Sequence, residues 1–237
     1  MKLGIIGAMA VEVENLKNQM QQVKITCKAD MEFCEGMLEG CPAVVVKCGV
    51  GKVNAALCVQ ILCDCFDVTH IVNTGVAGSL SAQLDIGDFV ISRDAIYHDF
   101  TCFALNANYT VGQVPGLSVR AFPADEKLMQ YAFEAANSLC PGHAHIGTVA
   151  SGDQFVASRE VKQQIIQDTN GLCTEMEGAA IAHGAWRNGI PFVVIRAISD
   201  KADDSAEMDY PTFEAIAAKR CALVTQAMAK RLCSSDK

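Results

Sequence analysis

Aromatic side chains are scarce in this chain: 6% of 237 residues, with one Trp and four Tyr. So few rings give no stacking platform for single-stranded nucleic acid. Cationic charge is also short, with 19 Lys and Arg against 27 Asp and Glu, a formal net charge of −8. A phosphate backbone calls for clustered Lys and Arg, so nucleic acid is excluded as a partner. Long apolar runs are missing too. Stretches such as Pro191 to Ile198 are far too short to span a bilayer, which argues against a membrane partner.

The N-terminus, Met1 to Gly7, runs straight into a strand pattern and lacks the apolar core and cleavage site of a signal peptide. A cytoplasmic location is expected. Twelve cysteines are many, yet no Cys-x-x-Cys occurs, and only Cys63 and Cys65 stand close together. The five histidines do not cluster with them, and the pair His143 and His145 reads as a solvated loop. Metal-ligand spacing is therefore absent and no metal is expected. The cysteines read mostly as small buried hydrophobes in a reducing cytosol.

Two glycine motifs fall short of a cofactor site. Gly49-Val50-Gly51-Lys52 lacks a glycine at position 46 and has Val53 where a phosphate loop needs Ser or Thr. Asn54 occupies the place of the third glycine of a dinucleotide fingerprint. Gly75-Val76-Ala77-Gly78 follows a strand and allows close backbone approach to a ligand. Such turns suit a small flat ligand rather than a dinucleotide, and no cofactor is expected.

What the chain has is apolar bulk, 51% of residues, and a regular alternation of elements. Leu3 to Ala8 reads as a buried strand and Val11 to Met20 as an amphipathic helix. Val23–Cys27, Met31–Leu38 and Ala43–Lys47 read as a meander, and Val53–Phe66 as a helix. His70–Asn73 and Asp88–Ile91 read as strands on either side of a glycine-bearing turn, Thr74 to Ser79. Helices are predicted over Glu126–Ser138, Glu160–Gln167, Gly178–Trp186 and Pro211–Leu232. His145–Ala150 and Pro191–Ser199 are the remaining strands, and Gly171–Glu175 leads into the Gly178 helix. The pattern predicts an α/β fold: one domain over 1–237, a three-layer αβα sandwich around a central mixed sheet. Residues 97–121 have little periodicity and read as a lid, or as an arm toward a second subunit.

Carboxylates cluster at three strand ends: Glu12 after Gly7-Ala8-Met9, Glu175-Met176-Glu177, and Asp200 after Arg196-Ala197-Ile198-Ser199. Acids beside an apolar sheet are costly unless they meet a ligand or each other. Open parallel sheets bind ligands beyond the carboxyl ends of their strands, so the three segments predict one acidic site. Such a site binds hydroxyls and basic ring nitrogens. Glu12 lies in a first helical turn, where it either complements the helix dipole or acts as a base on water. Glu175 and Glu177, two apart in an extended segment, point the same way and either bind a ribose diol or cap the following helix. Arg196, inside a buried strand, needs carboxylate partners, and Glu12 or Glu177 can supply them. Asp200 is a loop acid or, against a purine, a general acid at N7 whose pKa burial would raise.

Together these stretches resemble the bacterial 5′-methylthioadenosine/S-adenosylhomocysteine nucleosidases, within the purine nucleoside phosphorylase fold family. The resemblance rests on Gly4 to Met9 with Glu12, Gly49 to Val53, Asn73-Thr74-Gly75, Tyr97-His98-Asp99, Ser151-Gly152-Asp153 with Phe155, Glu175 to Glu177, and Arg196 to Asp200. It implies hydrolysis of the N-glycosidic bond of an adenine nucleoside, in a homodimer. Glu12 is then the base for water, and Asp200, steadied by Ser199, the acid at the purine. Glu177, beside Met176, takes the ribose hydroxyls, with Glu175 in the same segment and Arg196 near the water. Phe155 stacks on adenine, the Val156 backbone reads its edge, and Val76, Ala77 and Gly78 line the floor. Met9, Val50 and Tyr210 line the 5′ side, with Phe103 from the covering loop.

The sequence departs from that family twice. Val76 stands where these nucleosidases usually carry Ser, and Phe100 to Tyr109 lacks their usual Phe-Gly-Tyr pattern. Both changes predict an altered 5′ pocket. The Gly7–Glu14 segment has no cation, and a phosphate co-substrate needs several, so hydrolysis is favoured over phosphorolysis. The rivals are a purine nucleoside phosphorylase, a futalosine-type hydrolase and a non-catalytic nucleoside-binding protein. Keeping Glu12, Glu177 and Asp200 together speaks against the last.

Overall fold

The computed structural model describes residues 1–235. Its first strand, β1 (Leu3–Gly7), is buried throughout and lies parallel to both β4 (Cys41–Lys47) and β5 (His70–Ser79). Covered on both faces, these strands read as continuous apolar runs rather than alternating ones. Between them come α1 (Ala10–Gln19) and the antiparallel pair β2 (Gln21–Lys28) and β3 (Met31–Leu38), with α2 (Lys52–Phe66) after β4. The order continues β6 (Phe89–Tyr97), β7 (Phe122–Pro123), α3 (Glu126–Leu139), β8 (Ala144–Ser151), α4 (Arg159–Thr169), β9 (Cys173–Glu175), α5 (Gly178–Arg187), β10 (Phe192–Asp200) and α6 (Ala206–Ser235).

The sheet has ten strands and mixed direction. Strands β5, β10, β6, β8 and β9 pair in a closed ring, and β1, β4, β3 and β2 extend from it. The ring and extension meet at β5. Along one side, β1 pairs with its first four residues and β9 with its last two, Gly78 and Ser79. The stretch between, Thr74 to Ala77, has no strand on that side.

Helices cover both faces, as the αβα reading predicts. One core lies under α2 and α5 and includes Phe33, Val59, Leu62, Phe122 and Ile181. The other, under α1, α3 and α6, includes Leu16, Phe89, Ala132, Cys221 and Met228. Asp125 caps α3 by accepting from the Leu128 amide at 2.9 Å, and Ser158 caps α4 through the Val161 amide.

Four expectations need correction. Thr74–Ser79 is not a turn but the second half of β5. The last helix begins at Ala206, so Pro211 falls inside it rather than at its start. Only half of the cysteines are buried, and Cys41 and Cys233 form a disulfide that ties the end of α6 to the start of β4. His145 lies in β8, as the strand reading expects, while His143, exposed in the loop before it, is not free but contacts Asp88 at 2.7 Å. Residues 97–121 are irregular, as predicted, but anchored: Phe100, Val114, Leu117 and Val119 pack against the core. No described helix is long and apolar enough to cross a membrane.

Candidate active site

The gap on the flank of β5 holds the site. A strand edge there would leave an amide without a partner, and Glu12 supplies one: its Oε1 accepts from the Val76 amide at 3.0 Å. Oε2 accepts from the Ala8 and Met9 amides at 2.7 and 2.9 Å, at the start of α1. The carboxylate thus caps its helix and closes the sheet gap at once. Burial pushes its pKa up, against the opposing pull of Arg196 and those three amides. Gly75 is required beside it, because a Cβ there would run into Glu12 Oε1 and come within 2.8 Å of Arg196 Nη1.

Asp200 ends β10 on the far side of β5. Its Oδ2 accepts from Ser199 Oγ at 2.8 Å and its Oδ1 from the Ala202 amide at 2.8 Å. Burial raises its pKa, and those two hydrogen bonds only partly offset the effect. Gly78 leaves room for it: a Cβ there would lie 2.7 Å from Asp200 Oδ1 and 2.8 Å from the Ala202 Cβ.

Glu175 and Glu177 do not point the same way, because the chain bends after β9. Glu175 turns inward, to Arg196 Nη2, Ser151 Oγ and the amides of Glu177 and Gly178 at 3.1 and 2.8 Å. It therefore caps α5. Burial alone would raise its pKa, but the Arg196 charge together with the hydrogen bonds from Arg196, Ser151 and the Gly178 amide holds it below the usual carboxylate value. Glu177 Oε1 instead accepts from the Gly51 amide at 2.8 Å. Burial, then the neighbouring Glu175 charge, pushes its pKa up to about 8. The closest partner of Arg196 is accordingly Glu175, which the sequence reading did not name; the expected Glu177 forms only a looser ion pair, its Oε2 3.9 Å away, and Glu12 acts on the guanidinium through its charge. Arg196 also donates to Asn73 Oδ1 at 2.6 Å, and the guanidinium is held fully charged.

These groups frame one cavity of about 120 Å³ that opens to solvent. Of the predicted residues, Met9, Glu12, Val50, Val76, Ala77, Gly78, Phe155, Val156, Glu175, Met176, Glu177, Ser199, Asp200 and Tyr210 all line it. Two do not. Arg196 lies behind the wall, fully enclosed by its ion pairs. Phe103 sits exposed on the 97–121 segment, away from the cavity. Ala8, Gln154 and Thr174 also line it, and the sequence reading missed them. Each adjoins a predicted residue, and neighbour position was the one signal that could have found them.

The mouth is apolar. Phe155 and Tyr210 meet edge to face with ring centroids 5.4 Å apart, and the Tyr210 hydroxyl donates to Glu214 at 3.0 Å and Met9 Sδ at 3.3 Å. Lys52, the cation of the glycine motif, is held away by Asp99 and Asp153. Among the described residues, no Lys, Arg or His lines the cavity.

Comparison with known proteins fits this geometry. The sequence model of the phosphorylase superfamily matches residues 2–230. A 5′-methylthioadenosine/S-adenosylhomocysteine nucleosidase of Geobacillus thermodenitrificans is 40% identical over 229 residues, covering 96% of each chain. The solved nucleosidase of that name from S. pneumoniae, holding a transition-state inhibitor, superposes with a TM-score of 0.92 at 34% identity, covering 98% of this chain and 100% of the other. A futalosine hydrolase of Helicobacter pylori also superposes, with a TM-score of 0.91 at 30% identity and 98% coverage of each. The chain belongs to the phosphorylase superfamily and, within it, to the 5′-methylthioadenosine/S-adenosylhomocysteine nucleosidase family.

Proposed function

We propose that the protein hydrolyses the N-glycosidic bond of 5′-methylthioadenosine, S-adenosylhomocysteine or a related 5′-modified adenosine. The observation that carries this reading is a pair of buried carboxyls, Glu12 and Asp200, raised in pKa and facing one cavity from opposite sides of β5. One must take a proton and the other give one, and a raised pKa brings both toward neutral pH. Glu12 takes a proton from water, whose oxygen bonds to C1′. The C1′–N9 electron pair passes into the purine as Asp200 delivers its proton to N7. Adenine and the free ribose derivative leave, and solvent returns the two acids to their starting states.

Glu177 holds the ribose hydroxyls, and nearby carboxylates favour the positive charge developing on the sugar. Phe155 stacks on the base, and the Val156 backbone reads its edge. Arg196 acts from behind the wall as a positioning residue. The lack of a cationic side chain on the cavity wall supports water over phosphate as the nucleophile. The exposed apolar residues Val53 and Leu57 of α2 suit a homodimer interface.

The test is adenine release from methylthioadenosine with and without phosphate, alongside Asp200→Asn. Phosphate-independent release, falling by about 10²–10⁴-fold in the variant, is expected for loss of the acid. Phosphate dependence would instead assign a phosphorylase. Release of base only from futalosine-type nucleosides would move the substrate class, a reading that Val76 and the close structural match to the futalosine hydrolase keep in the panel.

A further inference from the structure

Thr174 is 5% exposed, lines the cavity, and has a buried hydroxyl with no hydrogen-bond partner. A buried polar atom left unpaired is costly, and it marks a place where a partner is supplied from outside the chain. The sheet register shows which part of the cavity Thr174 faces. It pairs with Gly78 of β5, and Gly78 in turn pairs with Asp200 of β10. Cross-strand neighbours project to the same face. A Cβ on Gly78 would point at the Asp200 carboxylate, 2.7 Å away. Asp200 and Thr174 therefore flank a glycine floor two strand spacings wide, roughly 10 Å.

A purine laid on that floor with N7 toward Asp200 turns its opposite edge, which carries N3, toward Thr174. N3 is a hydrogen-bond acceptor, and a threonine hydroxyl is a donor. A rotation about χ1 can turn the hydroxyl toward the cavity. We propose that the Thr174 hydroxyl is a base-specificity contact, donating to purine N3 and strengthening as the glycosidic bond breaks. The assignment rests on the adenine nucleosidase reading above. As the C1′–N9 pair enters the ring, N7 takes the Asp200 proton and N3 gains electron density. The Thr174 proton stays on its oxygen, and its hydrogen bond stabilises the leaving base.

The test compares kcat/KM of wild type, Thr174→Val and Thr174→Ser on methylthioadenosine and on its 3-deaza analogue, in which carbon replaces N3. Thr174→Val is expected to lose about tenfold on the parent nucleoside and nothing on the 3-deaza compound. Thr174→Ser keeps most of the parent rate. Thr174→Val should also melt at or above the wild-type temperature, because it removes an unpaired buried hydroxyl. Equal losses on both substrates, or no loss on the parent, would overturn the N3 contact while leaving the nucleosidase reading intact. Failure of the wild type to release the base from either compound would overturn both. Binding of free adenine and 3-deazaadenine gives a second readout independent of turnover: the hydroxyl should matter only for adenine.

Discussion

Glu175 and Glu177 are separated by a single methionine and are buried to a similar degree, yet they sit in opposite electrostatic states. Glu175 faces the sheet interior and is satisfied by a guanidinium, a hydroxyl and two amides. Glu177 faces the cavity, with one amide and a nearby negative charge, and holds its proton up to about pH 8. Glu12 and Asp200, also on the cavity side, share the upward direction. Burial alone is the same push for all four. What separates Glu175 from the other three is its close contact with Arg196 together with the Ser151 and Gly178 hydrogen bonds.

The largest expected effect comes from removing that contact. Arg196→Met leaves Glu175 buried without its cation and should cost about 3–5 kcal/mol of stability in chemical denaturation. Pairing it with Glu175→Gln should recover much of the loss, since the neutral pair no longer strands a charge. No recovery would mean that the two do not act as one unit.

A smaller effect tests whether geometry or charge sets the cavity side. Gly75→Ala places a methyl against Glu12 and Arg196, which three amides and an ion pair hold fixed. The expected cost is about 1–3 kcal/mol, with kcat falling further than stability alone explains. Unchanged kcat would show that Glu12 has slack.

A third effect is one of pH. The folded Glu177 carboxyl is pushed up to about 8, while in the unfolded chain it titrates near the ordinary 4.5. The folded state therefore binds the extra proton between these values. Its contribution is full below the unfolded value and is lost as pH rises through about 8. Glu177→Gln removes this slope, so its melting temperature should gain on wild type between pH 5 and pH 8. A constant difference would place the Glu177 pKa back in the ordinary range.

Most elements were legible within a residue or two, because apolar runs and helical periodicity carry over directly into buried strands and helices. The three strand-end acids were legible as well, since nothing else accounts for carboxylates in such apolar surroundings. The glycines misled. Gly75 and Gly78 read as turn residues, but they lie in a strand and are glycine because Glu12 and Asp200 occupy the space of a side chain. The choice of Glu175 as the Arg196 partner depends on the bend after β9, which no local pattern encodes. Cys41 and Cys233 stand 192 residues apart, and spacing carries no pairing information at that range.

The triple acceptance at Glu12 has a practical consequence for anyone seeking a dead enzyme that still binds. All three of its partners are amides that can only donate. An amide side chain there would turn its own NH₂ toward at least one of them, so Glu12→Gln would disturb the β5 gap as well as remove the proposed base. Asp200→Asn escapes this conflict: its oxygen can keep the Ala202 amide while its NH₂ meets a hydroxyl, Ser199, that can reverse its role. The substrate trap for crystallography should therefore be built at Asp200, not at Glu12.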